Sequence, residues 1–266
     1  MTMSRRVLVC LLLAAALHHG FVWLAQRAIL FPGAHSGAPW GRAPENAVTI
    51  TAGGSRALLV PARGATDGPA PLVVYGHGNA EFAEDFFLLP EPYTAAGFHV
   101  LVLEYRGYGD VAGSPSEDAL VADSVALIEA ACARPEVDGE RVVYHGRSLG
   151  GAILGTVAGQ RPPAGLVLEA AFSSVPSIAR AMLVPAYLLK DRFDVVEAIR
   201  GGRFPVLLLH GEADEVVPPR EADVIAGALP PTRLTRASEP DVGHLDSWME
   251  LAPERLTAFA RFAVAR

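Results

Sequence analysis

Residues 141–160 run with no loop from a strand-like stretch, Arg141 to His145, through Gly146-Arg147-Ser148-Leu149-Gly150 into a helical stretch, Gly150 to Gln160. A chain that reverses this tightly brings strand and helix almost into contact. The positions two before and two after the serine must be small, and the serine takes a strained backbone conformation. The turn lifts the Ser148 hydroxyl above a sheet edge and aims the Leu149 N–H at whatever carbonyl the hydroxyl attacks. The helix adds its positive end. A Gly-Ser turn that merely caps a helix would use the same five letters, but the strand before and the helix after favour the reactive reading.

The rest of the chain supplies a matching frame. Ala47 to Ala52 and Ala57 to Ala62 read as short strands around the Gly53-Gly54 turn, an antiparallel hairpin. Leu72 to Gly76, His99 to Glu104, Leu166 to Glu169 and Val206 to His210 are apolar runs of the kind buried parallel strands require, and Arg233 to Arg236 is a weaker strand. Between them lie a mixed, partly helical stretch from Ala80 to Ala96, an amphipathic helix from Glu117 to Ala133, and a final helix from Ser247 to Val264. This alternation predicts an α/β fold with right-handed crossovers, a mostly parallel central sheet and helices on both faces. Residues 172–203 contain no strand and read as a small helical cap. With 51% hydrophobic residues the chain can fill a large core, and residues 46–266 are expected to form one domain.

A serine hydroxyl needs a base, and the base needs an orienting acid. Of the eight histidines, His18, His19 and His35 fall in or beside the apolar N-terminus. His99 and His145 lie in strand interiors, His77 on another loop, and His210 at a strand end. His244, on a loop after the last strand, is left as the base. Asp214, just past the strand ending at His210, is the expected acid, with Glu212 and Asp241 as fallbacks. Ser148, Asp214, His244 is also the chain order expected for this layout.

The N-terminus stands apart. Arg5 and Arg6 precede an apolar run from Val7 to Ala25, broken only by His18, His19 and Gly20, which as a helix spans about 28 Å, close to the hydrocarbon thickness of a bilayer. Residues 1–30 therefore read as an uncleaved signal anchor, with a cleaved secretory signal and a buried soluble helix as alternatives. The balance of Arg5, Arg6 and the terminal amine against Arg27 places the body outside the cytoplasm.

The net charge of −7 argues against nucleic acid as a partner. Lys190 is the only lysine, a pattern expected of a GC-rich, bacterial coding sequence. The two cysteines, Cys10 and Cys132, form neither a metal-ligand spacing nor a disulfide framework, and Cys132 is expected to be a buried thiol.

These residues resemble the α/β-hydrolase superfamily. Within it they look like the membrane-anchored branch that includes depalmitoylating thioesterases and bacterial hydrolases of unassigned substrate. The resemblance is carried by Gly76-His77-Gly78-Asn79-Ala80-Glu81, Glu104-Tyr105-Arg106-Gly107-Tyr108-Gly109, Ser114-Pro115-Ser116-Glu117, Gly146 to Ala152, Leu168-Glu169 with Phe172-Ser173-Ser174, Asp214 to Pro218, and Gln26 to Pro32. It departs at Asp110-Val111-Ala112, where the family places a small polar residue. The resemblance implies that the Asn79 backbone N–H pairs with that of Leu149 as an oxyanion hole. It also implies that His77 is a scaffold residue rather than a base, that Arg106 and Tyr108 pack under the oxyanion loop, and that Glu169 ties neighbouring loops. The implied activity is hydrolysis of an ester or thioester, possible substrates being small or lipid-like acyl compounds, by a monomer without metal or cofactor. A peptidase or amidase on the same fold, or a non-enzymatic binding protein, are the alternatives.

Overall fold

A computed structural model describes residues 5–34, 43–44, 46–64, 68–79, 81–86, 91–181, 184–246 and 248–266, without the side chains of residues 5, 6, 181 and 249. His35, Ala80 and Ser247, and parts of the expected 80–96 helix and 172–203 cap, lie outside the described residues.

An amino-terminal helix α1 (Arg5–Leu30) precedes an eight-stranded sheet. Its strands are β1 (Val48–Ala52), β2 (Ser55–Val60), β3 (Ala70–Gly76), β4 (His99–Glu104), β5 (Val137–Arg147), β6 (Gly165–Glu169), β7 (Val206–Gly211) and β8 (Leu234–Glu239), in the spatial order β1-β2-β4-β3-β5-β6-β7-β8. The β1–β2 hairpin and the β2–β4 pair are antiparallel, and all other pairs are parallel. The helices after α1 are α2 (Glu91–Ala95), α3 (Glu117–Cys132), α4 (Leu149–Gln160), α5 (Val175–Ala181), α6 (Val195–Arg200), α7 (Arg220–Gly227), α8 (Trp248–Leu251) and α9 (Pro253–Val264).

Parallel strands buried on both faces need apolar residues in both alternating sets, and β4, β6 and β7 have them: every residue of each is buried. One face packs against α3, α4 and α6 through residues such as Leu127, Ile153 and Ile199. The other packs against α2 and α9 through Tyr93, Leu256 and Phe259. Ser116 caps α3, its side chain accepting from the Ala119 N–H at 3.3 Å, while Glu117 and Asp118 sit in the positive first turn.

Several boundaries differ from the sequence reading. β5 starts four residues earlier than expected, because Val137 and Asp138 pair with Ala70 and Pro71 before a register irregularity. The final helix is two: α8 ends at Leu251, and α9 begins at Pro253, whose ring suits a first helical position. The 80–96 stretch holds a short 3-10 turn, Ala83–Phe86, and α2. Cys132 is half-buried rather than buried and accepts from the Arg161 guanidinium at 3.4 Å; burial nevertheless pushes its thiol pKa up. α1 is no soluble core helix, since only 6% of its most apolar window is buried. Among the described residues it is the one helix long and apolar enough to cross a membrane.

Candidate active site

The carboxyl ends of the parallel strands gather the reactive side chains. At the end of β5, Ser148 adopts φ 50° and ψ −115°, a conformation that L-residues avoid. Its N–H donates to the Glu169 carbonyl at 2.8 Å, which fixes the turn against β6. The flanking glycines make the reversal possible. A Cβ on Gly146 would press into the Gly150 carbonyl, and one on Gly150 into the Gly76 carbonyl. Leu149 is the first residue of α4, so its N–H is among the starting amides with no partner within the helix.

His244 lies between Ser148 and Asp214. Its Nε2 is 3.1 Å from Ser148 Oγ and its Nδ1 is 2.8 Å from Asp214 Oδ2. With the proton on Nδ1 and donated to Asp214, Nε2 is free to accept from the serine hydroxyl. Asp214 Oδ1 accepts from the Val216 and Val217 N–H groups at 2.9 and 2.8 Å. Burial pushes the Asp214 pKa up, but the bonds from His244, Val217 and Val216 outweigh it and hold the carboxyl below its ordinary value. A depressed carboxyl pKa contributes stability above the ordinary value that is lost as pH falls through the depressed one. The stability advantage of the wild type over Asp214→Asn should therefore narrow below about pH 4, as read by denaturant unfolding across pH. An advantage that stays constant down to pH 2 would refute the Asp214 assignment. Glu212 points elsewhere, accepting from Ser238 Oγ at 3.0 Å.

The loop after β3 lies beside this trio, with the backbone of Gly76 and His77 against Gly150. Its side chains are committed to scaffolding. His77 is fully buried, with Nδ1 2.8 Å from the Gly78 carbonyl and Nε2 3.2 Å from Glu104. Asn79 uses its side chain at both ends, donating to the Leu30 carbonyl at 2.6 Å and accepting from Tyr108 Oη at 2.7 Å. Tyr108 thus sits under this loop. Arg106 does not. It forms a two-pronged pair with Asp123 at 2.8 and 2.7 Å, and Asp123 accepts the Gly54 N–H, so Arg106 secures the β1–β2 turn to α3. Glu169 ties loops as expected, meeting His145 Nε2 at 2.9 Å and the Trp248 N–H at 3.3 Å.

Sequence reasoning missed Arg147. Its guanidinium pairs with Glu81, donates to the His244 carbonyl at 2.8 Å and lies 3.3 Å from Glu169. Glu81 in turn accepts the Gly78 N–H at 2.5 Å. One planar cation thereby joins the serine turn, the loop after β3 and the histidine loop. Its place inside the pentapeptide was a signal of proximity, but Glu81 lies 66 positions away. Lysine keeps the charge and loses the fork. We expect Arg147→Lys to lower kcat about tenfold with KM little changed, because the histidine is less well placed. Equal steady-state constants for the two proteins would remove Arg147 from this role.

Among the described residues no group of three or more His, Cys, Asp or Glu is placed to hold a metal ion. A mostly parallel sheet that presents a strained serine at a strand-to-helix turn, next to a histidine held by an aspartate, defines the class of α/β-fold hydrolases. The chain belongs to the α/β-hydrolase superfamily. A family model described as serine aminopeptidase, S33, matches residues 67–194. An uncharacterized protein of Mycobacterium tuberculosis is 34% identical over 255 residues, covering 91% of this chain and 88% of that protein. Among solved structures, Est1E from Butyrivibrio proteoclasticus superposes with a TM-score of 0.68 at 19% identity, over 83% of this chain and 99% of Est1E. A puromycin-hydrolyzing peptidase of Mycobacterium tuberculosis gives 0.67 at 19% identity, over 82% and 39%.

Proposed function

We propose that the protein is a serine hydrolase that cleaves an acyl ester or thioester through an acyl-enzyme at Ser148. The observation that carries this reading is the unbroken line Ser148–His244–Asp214, with separations of 3.1 and 2.8 Å. His244 takes the Ser148 proton as Oγ attacks the carbonyl carbon, while Asp214 stabilises the imidazolium. The Leu149 and Asn79 N–H groups receive the oxyanion; one such donor is typically worth about 10²–10³ in rate. The same proton returns from His244 to the leaving oxygen or sulfur, and water, deprotonated by His244, then releases the acid. The chain is a monomer in this reading. Its exposed apolar helix α1 is an uncleaved membrane anchor, with the hydrolase body outside the cytoplasm and a lipid-like acyl group as substrate.

The test is a screen of nitrophenyl esters of graded chain length beside acyl-thioesters, with fluorophosphonate labelling of wild type and Ser148→Ala. Labelling of both proteins alike would overturn the reading. The family model's description favours one other reading, an aminopeptidase. Aminoacyl nitroanilides in the same screen separate it, since turnover of these alone would replace ester cleavage by peptide cleavage.

A further inference from the structure

α1 divides into two parts. From Val7 to Phe21 its apolar side chains stand exposed, Leu17 by 74% and Phe21 by 64%. From His19 onward it is gripped by residues 187–193 of the cap region. His19 Nε2 is 2.7 Å from Tyr187 Oη. Lys190 donates to the Trp23 carbonyl at 2.9 Å with its ammonium 4.2 Å from the centre of the Trp23 ring. Gln26 donates to the Leu188 carbonyl at 3.0 Å and accepts the Lys190 N–H at 2.7 Å. Arg27 meets both oxygens of the buried Asp191 at 2.7 and 3.2 Å. A helix tied this many times over about two and a half turns cannot swivel against the domain.

The length of the apolar run then fixes where the cap sits. The hydrocarbon layer needs about 20 apolar residues, and the stretch ahead of the first tie at His19, Val7 to His18, is too short alone. The run ends only at Ala25, ahead of Gln26 and Arg27. Filling the layer with Val7 to Ala25 brings Trp23 to its boundary, and with it the side chains that touch the helix there. Lys190, the chain's only lysine, touches Trp23 itself, and Tyr187, which is 74% exposed, touches the helix at His19, about one turn deeper. Trp, Tyr and Lys are the residues that favour the layer between hydrocarbon and water.

We propose that the cap tip, residues 186–190, is a lipid-contacting surface that lies in the headgroup layer of a phospholipid bilayer. Lys190 there faces the lipid phosphates, and Tyr187 reaches from the headgroup layer toward His19, about 6 Å deeper along α1. The site is then held at a fixed height. Leu30, whose carbonyl takes the Asn79 side chain, lies seven residues beyond Trp23, about 10 Å above the hydrocarbon boundary. The inference rests on α1 being a membrane-inserted helix, not on the chemistry at Ser148.

The test uses the full-length chain with Cys10→Ser and Cys132→Ser, carrying one spin label at Leu13→Cys, Tyr187→Cys or Glu197→Cys. Each protein is reconstituted into phosphatidylcholine–phosphatidylglycerol vesicles, and circular dichroism establishes that each is folded. Collision with oxygen and with a nickel chelate then reports depth. We expect position 13 to be rich in oxygen and shielded from nickel, position 197 the reverse, and position 187 between them. Position 187 as open to nickel as 197, with 13 still in hydrocarbon, overturns the lipid surface but leaves the anchor. Position 13 open to nickel overturns both.

Discussion

Ser148→Ala is expected to lower kcat on any acyl ester the wild type turns over by about 10⁴–10⁶-fold, because the remaining residues act only through a nucleophile that is gone. Fluorophosphonate labelling should vanish with it. The stability result is the sharper half of the prediction. Ser148 carries φ 50° and ψ −115°, a cost of order 1–3 kcal/mol for a residue with a Cβ. Alanine keeps the Cβ and inherits that cost, so its thermal midpoint should match the wild type. Glycine does not, so Ser148→Gly should be inactive and yet more stable by about 1 kcal/mol. Substantial activity in Ser148→Ala would displace the serine from its role, and a destabilised Ser148→Gly would refute the strain.

The second large effect concerns Gly150. A Cβ there would overlap the Gly76 carbonyl oxygen and come within 2.7 Å of the His77 carbonyl oxygen, and both are backbone atoms that cannot rotate away. Either α4 retreats from the sheet or the loop after β3 is pushed out. Such overpacking costs about 3 kcal/mol or more, a large part of the roughly 5–15 kcal/mol that holds a domain together. Gly150→Ala should lower the thermal midpoint by roughly 6–12 °C and, on the proposed role of the Asn79 N–H as an oxyanion donor, reduce kcat by displacing it. Gly227→Ala is the control, because nothing lies within 4 Å of a Cβ at that position. It should be neutral or slightly stabilising. Equal midpoints for Gly150→Ala and wild type would mean that strand and helix do not approach as described.

Sequence and structure agree where the information is local. The turn at Ser148 states its own geometry, since only small residues at 146 and 150 permit it. Uniformly apolar runs such as Val206 to His210 identify strands that are covered on both faces. The positions of Asp214 and His244 follow from the ends of such strands. What stayed hidden depends on residues far apart in the chain. The early start of β5 needs the edge of β3, because Asp138-Gly139-Glu140 looks like a turn until Asp138 pairs with Pro71. Arg106 sits in a stretch shared with Tyr108, yet its partner is Asp123 on α3 rather than the loop it was expected to support. Arg147 is legible only once Glu81 and the His244 carbonyl are seen around it. The break before Pro253 is the exception, since Pro253 is a local signal for a helix start inside the stretch expected to be one helix.

The grip on α1 also has a consequence in time. Arg27 and Asp191 are 164 positions apart, so a ribosome adding about 5–20 residues per second makes the second some 8–33 s after the first. In the anchor role proposed for it, α1 reaches the lipid before the residues that hold it have been synthesised. Their meeting closes a long loop, at an entropic cost that grows only slowly with its length. On that proposal the body captures a helix that is already inserted, and a chain whose synthesis stops short of residue 191 is left without the Arg27–Asp191 tie.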